Sequence, residues 1–124
     1  MRSPSTLLVV LLIVSGCGEE RPAIDPARVE ENQEASRVAV AEAEVRAISH
    51  AVESHIMDQM ALPADLASLA GAEASYIDEV PTVDPWGHPY ELIVLDGLEV
   101  EVRSLGADGA VGGEGEDADV SSRR

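Results

Sequence analysis

The residues best suited to chemistry lie near the end of the chain. Between Gly106 and Asp119, five glycines are interleaved with Asp108, Glu114, Glu116, Asp117 and Asp119. A hard divalent cation such as calcium takes about six to eight oxygens, mixing carboxylates with backbone carbonyls. Glycines at 106, 109, 112, 113 and 115 let the backbone curl so that carbonyls face inward. Asp108, Asp117 and Asp119 then return carboxylates from the two ends of the excursion. The stretch reads as a calcium loop. By composition alone it would be a solvated acidic tail. Asp108 is not followed by acids at the spacing of an EF-hand, so that loop is excluded.

A second stretch, Asp84-Pro85-Trp86-Gly87-His88-Pro89-Tyr90, carries positional information. Pro85 and Pro89 fix two φ angles and bias Asp84 and His88 toward extended backbone. Gly87 is free to take positive φ in the turn between them. Trp86 is the only tryptophan in a chain without phenylalanine, which makes it a candidate core plug. Asp84 reads as a turn-capping acceptor rather than a catalytic acid. No catalytic set accompanies these residues. His50 and His55 are five apart on a helical stretch, not the four that places two ligands on one face. Ser36, Ser49 and Ser54 lack a nucleophile-elbow context. A non-enzymatic protein is expected, with its helix histidines in solvent.

Three elements must position these motifs. Val38, Ala41, Val45, Ile48, Val52, Ile56 and Met60 form one apolar helical stripe, and the spacing predicts a helix from Pro26 or Ala27 to Met60. Pro63 lies beyond its end. Ala64 to Ala70 is a candidate short helix carrying Leu66 and Leu69, with Gly71 as its stop. From Tyr90 the period becomes 2. Tyr90 to Leu95 and Leu98 to Arg103 read as a hairpin around Asp96-Gly97. The expected fold is α+β: a long N-terminal amphipathic helix packed on a small antiparallel β-sheet, with a C-terminal calcium-binding loop.

The two motifs, in this order around a hairpin, resemble the C-terminal domain of the major (G-type) pseudopilin of type II secretion. The likeness covers about Val38 to Val120. The family's turn usually reads Asp-Pro-Trp-Gly-Asn-Pro-Tyr, so His88 is a departure. The resemblance implies one calcium, held by Asp108, Asp117 and Asp119 with carbonyls near Leu105 and Ala110. It also implies a structural role in secretion or the cell envelope. The family's prepilin leader and long apolar stalk helix are not expected here, nor is polymerisation through such a stalk. A single copy of a repeat-toxin calcium motif also fits Gly112 to Asp119. Such motifs act in stacked copies, and Asp119 sits where an apolar residue belongs.

The chain instead opens with Arg2, the apolar run Leu7 to Val14, and Val14-Ser15-Gly16-Cys17. The run is far shorter than the ~20 residues of a membrane span. It reads as a signal peptide over residues 1–16 that ends in a bacterial lipobox. Cys17, the only cysteine, is the lipidation site, and a doubly acylated cysteine is a firm anchor. Residues 17–33 are expected to tether a globular domain at 34–124. The chain carries 24 acids against 8 arginines and no lysine, a net charge of −16. Such a surface repels nucleic acid and attracts cations. The expected setting is a membrane, reached through the lipid on Cys17 and facing the periplasm, with the outer membrane slightly favoured. The expected partner is a secretion or envelope protein. The alternative is a periplasmic module that binds a small molecule or sugar through Trp86 and Tyr90.

Overall fold

The computed structural model describes residues 23–70 and 76–123. The expected signal peptide at residues 1–16, Cys17 and Gly71 lie outside the described residues. Helix α1 runs Pro26–Gln59. Asp25 caps it, its carboxylate accepting from Ala27 N at 3.0 Å, and Pro26 opens the first turn where its missing N–H costs nothing. Met60 ends the helix in the left-handed region at φ 51°, its N–H donating to Ile56 O at 2.8 Å. The helix therefore runs unbroken through residue 34, where the tether was expected to meet the domain.

The sheet has three antiparallel strands in the order β1-β2-β3: Glu91–Asp96, Glu99–Ser104 and Val120–Ser121. Leu92 faces Val102 and Val94 faces Val100. The hairpin sits one residue later than the expected Asp96-Gly97 turn. A bulge at Leu95 lets Asp96 pair with Glu99, so the loop residues are Gly97 and Leu98. Gly97 takes φ 53°, which glycine adopts freely, and the bulge absorbs the register difference. The strand β3 was not anticipated: two residues in a Gly-Asp context carry no period-2 signal. Ser122 fastens it, donating its N–H to Val102 O and accepting from Val102 N through Oγ.

The sheet covers the stripe of α1. Ala41, Val45, Ile48, Ala51 and Val52 are buried against Leu69, Tyr90, Val102 and Val120. Val38 and Ile56 are half-buried at the margins, and Met60 is exposed. The short helix is a 3-10 turn at Ala67–Leu69, with Asp65 Oδ1 accepting from Ser68 N at 2.8 Å. Leu69 enters the core and Leu66 packs on its edge. The architecture is α+β, one long helix on a small antiparallel sheet. No helix among the described residues is long and apolar enough to cross a membrane.

Tyr90 ties the sheet to the helix. Its ring is buried and its hydroxyl donates to Glu44 Oε2. Burial, then the bond to Glu44 and that carboxylate's charge, hold the phenol well above its ordinary pKa of 10.0. An unfolded Tyr90 ionises near its ordinary value while the folded one keeps its proton. Its contribution to stability is therefore full below pH about 10 and declines as pH rises beyond. Urea unfolding between pH 8 and pH 11 should show stability falling on the alkaline side. Tyr90→Phe, less stable at neutral pH, should flatten that limb, and an equally steep limb in the variant would contradict the assignment.

Candidate functional site

The glycine-acid loop is folded rather than a trailing tail. Ala107 N donates to Glu116 O at 2.8 Å and draws its two arms together. A 3-10 turn at Gly115–Asp117 follows, with Asp117 N bonded to Glu114 O and Ala118 N to Gly115 O. Two glycines are required by contact as well as by angle. A Cβ on Gly106 would stand 2.7 Å from Glu116 O and 2.8 Å from Ala118 O. One on Gly113 would meet Asp117 O at 2.5 Å.

Two of the candidate ligands already organise this curl. Asp108 Oδ1 accepts from Ala110 N at 3.1 Å, and Asp119 Oδ2 accepts from Gly112 N at 3.1 Å across the loop. Asp108 and Asp117 are exposed; Leu105 and Asp119 are half-buried. Among the described residues, no three His, Cys, Asp or Glu side chains converge to hold a metal. The donor chemistry still fits a hard cation. Within the loop the strong donors are carboxylate and carbonyl oxygens, and the glycines leave room for carbonyls to complete the shell. The ligands expected from the sequence, Asp108, Asp117 and Asp119 with the carbonyls of Leu105 and Ala110 that the family resemblance implies, all lie on this loop or at its entry.

The Asp-Pro-Trp turn lies beside this loop and fastens its entry. Asp84 is buried. Its Oδ1 accepts from Trp86 N at 3.1 Å and His88 N at 2.8 Å. Its Oδ2 accepts from Ser104 Oγ at 2.7 Å, and Ser104 Oγ accepts in turn from Gly106 N at 3.2 Å. The backbone closes the same turn, with Gly87 at φ 90° and Asp84 N donating to His88 O at 2.7 Å. Pro85 and Pro89 bracket it, and Val83 bridges to Pro89. Asp84 is the turn-capping acceptor that its position suggested. Its link to Ser104 was not foreseen, although a signal existed: Val100, Val102 and Ser104 share one face of β2, and a polar residue there needs a partner.

His88 has a defined task at its departure from the family's asparagine. Its Nδ1 lies 3.0 Å from Gly106 O, so Nδ1 carries the hydrogen and donates to that carbonyl. The ring covers Gly109, where a Cβ would meet Nε2 at 2.9 Å. The other histidines differ from each other. His50 is exposed, whereas His55 is half-buried with its ring edge-on to Tyr76 at 5.2 Å. The expectation of two solvated helix histidines therefore fails for His55, because the chain at Tyr76 folds back over it. Tyr76 also donates to Asp58 at 2.6 Å, which holds that exposed carboxyl below its usual range.

Trp86 is half-buried at the edge of the core, not its plug. Its indole N–H prevents full burial by donating to Glu116 Oε2 at 3.2 Å. Tyr90 is buried and bonded to Glu44, so it offers no face to a ligand. The pair therefore forms no exposed aromatic platform, and a sugar site built on it loses its support.

The family model described as Type II secretion system (T2SS), protein G matches residues 28–123. The chain belongs to this family. Similar curated proteins bear the same description, "Type II secretion system core protein G". That of Pseudomonas aeruginosa is 28% identical over 98% of this chain and 94% of its own length. That of Xanthomonas campestris pv. campestris is 28% identical over 96% and 93%. That of Vibrio cholerae serotype O1 is 43% identical over 40% of this chain and 34% of its own length.

The protein G domain should depend on its buried carboxyl. Asp84→Ala removes the acceptor for two backbone N–H groups and one hydroxyl. The loss should amount to about 2–4 kcal/mol, since each buried donor left unsatisfied costs about 1–3 kcal/mol and relaxation recovers part. Denaturant unfolding measures it; a loss within about 0.5 kcal/mol, the range of ordinary surface changes, would contradict the role.

Proposed function

We propose that this protein is a structural, non-catalytic component of type II secretion, held at a membrane through lipid on Cys17 and stiffened by one calcium ion. Membership of the protein G family across residues 28–123 carries the reading of role. The sequence around Cys17 supports the anchor, with the domain facing the periplasm and the outer membrane slightly favoured. Its partners are other secretion components, met through protein surfaces. Nucleic acid is disfavoured by the charge of −16.

The case for calcium rests on the folded oxygen-rich loop. Asp108, Asp117 and Asp119 would hold the ion, with the carbonyls of Leu105 and Ala110. Bound calcium supplies positive charge to a loop whose acids repel one another. The loop residues do the rest: Gly106 and Gly113 permit close backbone approach, while Ser104 and His88 fix the entry at Gly106. The role needs no catalytic group.

Saturating calcium should stabilise the domain by mass action, by about 2.7 kcal/mol at a hundredfold excess over the dissociation constant. For a domain of this size that corresponds to a rise of about 10 °C or more in Tm. Excess chelator should remove the rise, and Asp117→Ala should abolish both the rise and the heat of calcium titration. An unchanged melt with no calcium heat in the native protein would dismiss the ion.

The anchor is tested separately. In bacterial cells the native protein should take up labelled palmitate and fractionate with membranes, while Cys17→Ala should do neither. Membrane partition unaffected by Cys17→Ala would rule out the lipid.

A further inference from the structure

Glu116 lies between two of the acids read as calcium ligands, yet its side chain is engaged elsewhere. Its Oε2 accepts from Trp86 Nε1 at 3.2 Å and stands 3.7 Å from Arg37 Nη1 of α1. Its own carbonyl accepts from Ala107 N and closes the loop. One residue thus bonds the loop to itself through the backbone, and to the turn and the helix through the side chain. The 3-10 turn that carries Glu116 lies directly against α1.

The position of Arg37 gives this contact its weight. From Pro26 to Arg37 every residue is exposed except half-buried Val29. The first residue of α1 buried in the core is Ala41, with Val38 half-buried one turn before it. Arg37 therefore sits where the helix leaves the core, and about three turns beyond it have almost no tertiary support. Helical segments of this length are marginal in water alone, so their order depends on how firmly the last supported turn is held.

We propose that Glu116 is a positioning residue, not a metal ligand: it transmits the folded state of the glycine-acid loop to Trp86 and to the outer three turns of α1. Ordering the loop places its carboxylate, and the carboxylate orders the helix where it emerges. Control of this link by calcium rests on the function proposed above; the link itself stands without the ion.

Amide hydrogen exchange and tryptophan fluorescence on the full domain in excess chelator decide it. Gly113→Val cannot keep the native loop, because φ is 103° and Asp117 O lies 2.5 Å from any Cβ. That variant should speed exchange in α1 up to Arg37 and red-shift the emission of Trp86, the only tryptophan. Glu116→Ala should give the same two changes, with exchange about two- to fivefold faster as expected for losing a partly exposed ion pair. It should leave the amides of Ala107, Asp117 and Ala118 protected. Glu116→Gln keeps an acceptor for the indole, so Trp86 emission should stay native while α1 exchange still rises. Native α1 exchange and emission in Glu116→Ala would overturn the proposal, as would loss of loop protection equal to that in Gly113→Val. Calcium calorimetry separates the two readings. Equal heats for the native protein and Glu116→Ala support the assignment, whereas heat lost only in the variant would make Glu116 a ligand. If the native protein shows no heat, the calcium reading falls and the chelated samples still decide the strut.

Discussion

The buried carboxyl of Asp84 is the constraint on which the arrangement turns. It is reached from three directions: by N–H groups of its own turn, by the hydroxyl that ends β2, and through that hydroxyl by the amide that opens the loop. No apolar residue could satisfy these donors together, and leaving them bare in a buried site would be costly. The turn, the hairpin and the loop are therefore fixed against one another by one group with four lone-pair directions. Trp86 and His88 then acquire their places as consequences. Trp86 is swung to the core edge within reach of Glu116, and His88 is laid over Gly109 with Nδ1 on Gly106 O.

Such polar fastening matters because the apolar core is thin. It contains no phenylalanine, its one fully engaged aromatic is Tyr90, and the rest is valine, isoleucine, leucine and alanine. A small domain with so little large apolar surface gains little from burial alone. The Tyr90–Glu44 bond across the helix–sheet interface and the Ser122 bonds to Val102 add direction where packing is weak. A glycine-rich loop is an unpromising addition to such a core, since ordering its backbone costs more entropy than ordering other residues. It is ordered here by contacts at its entry and its far turn, and a cation would act on the repulsion that remains.

The legible parts of the fold were those with a period or a rigid residue. The stripe from Val38 to Ile56 specified the buried face of α1, and Pro63 bounded its end. The switch to period 2 at Tyr90 located the hairpin. Two prolines and a glycine marked the turn at Asp84. Less legible were features that depend on pairing across sequence. The bulge at Leu95 shifts the hairpin loop by one residue, and nothing local distinguishes Asp96-Gly97 from Gly97-Leu98. The two-residue β3 exists because Ser122 finds Val102, 20 residues away. Trp86 looked like a core plug because its size dominates its polarity on any hydrophobic scale. Its indole N–H required an acceptor, and Glu116 lies 30 residues off.

The arginines show how a strongly acidic chain uses its few cations. Among the described residues, Arg37 meets Glu116, Arg103 meets Glu91 and Arg123 meets Glu99. Each pair joins two different elements: helix to loop, strand to strand, and C-terminal segment to hairpin. Exposed pairs of this kind contribute little stability one at a time. Their siting nonetheless decides which acids are compensated. Glu116 is compensated by Arg37 and Trp86, while no ion pair to an arginine reaches Asp108 or Asp117 among the described residues. Simple salt screens charges separated by more than about 8 Å at physiological strength, and screens less well the near neighbours on one tight loop. The repulsion left on this loop is therefore short-ranged, and a cation held among the acids relieves it more effectively than bulk salt can. The same division separates the acid that braces the loop from the acids available to an ion.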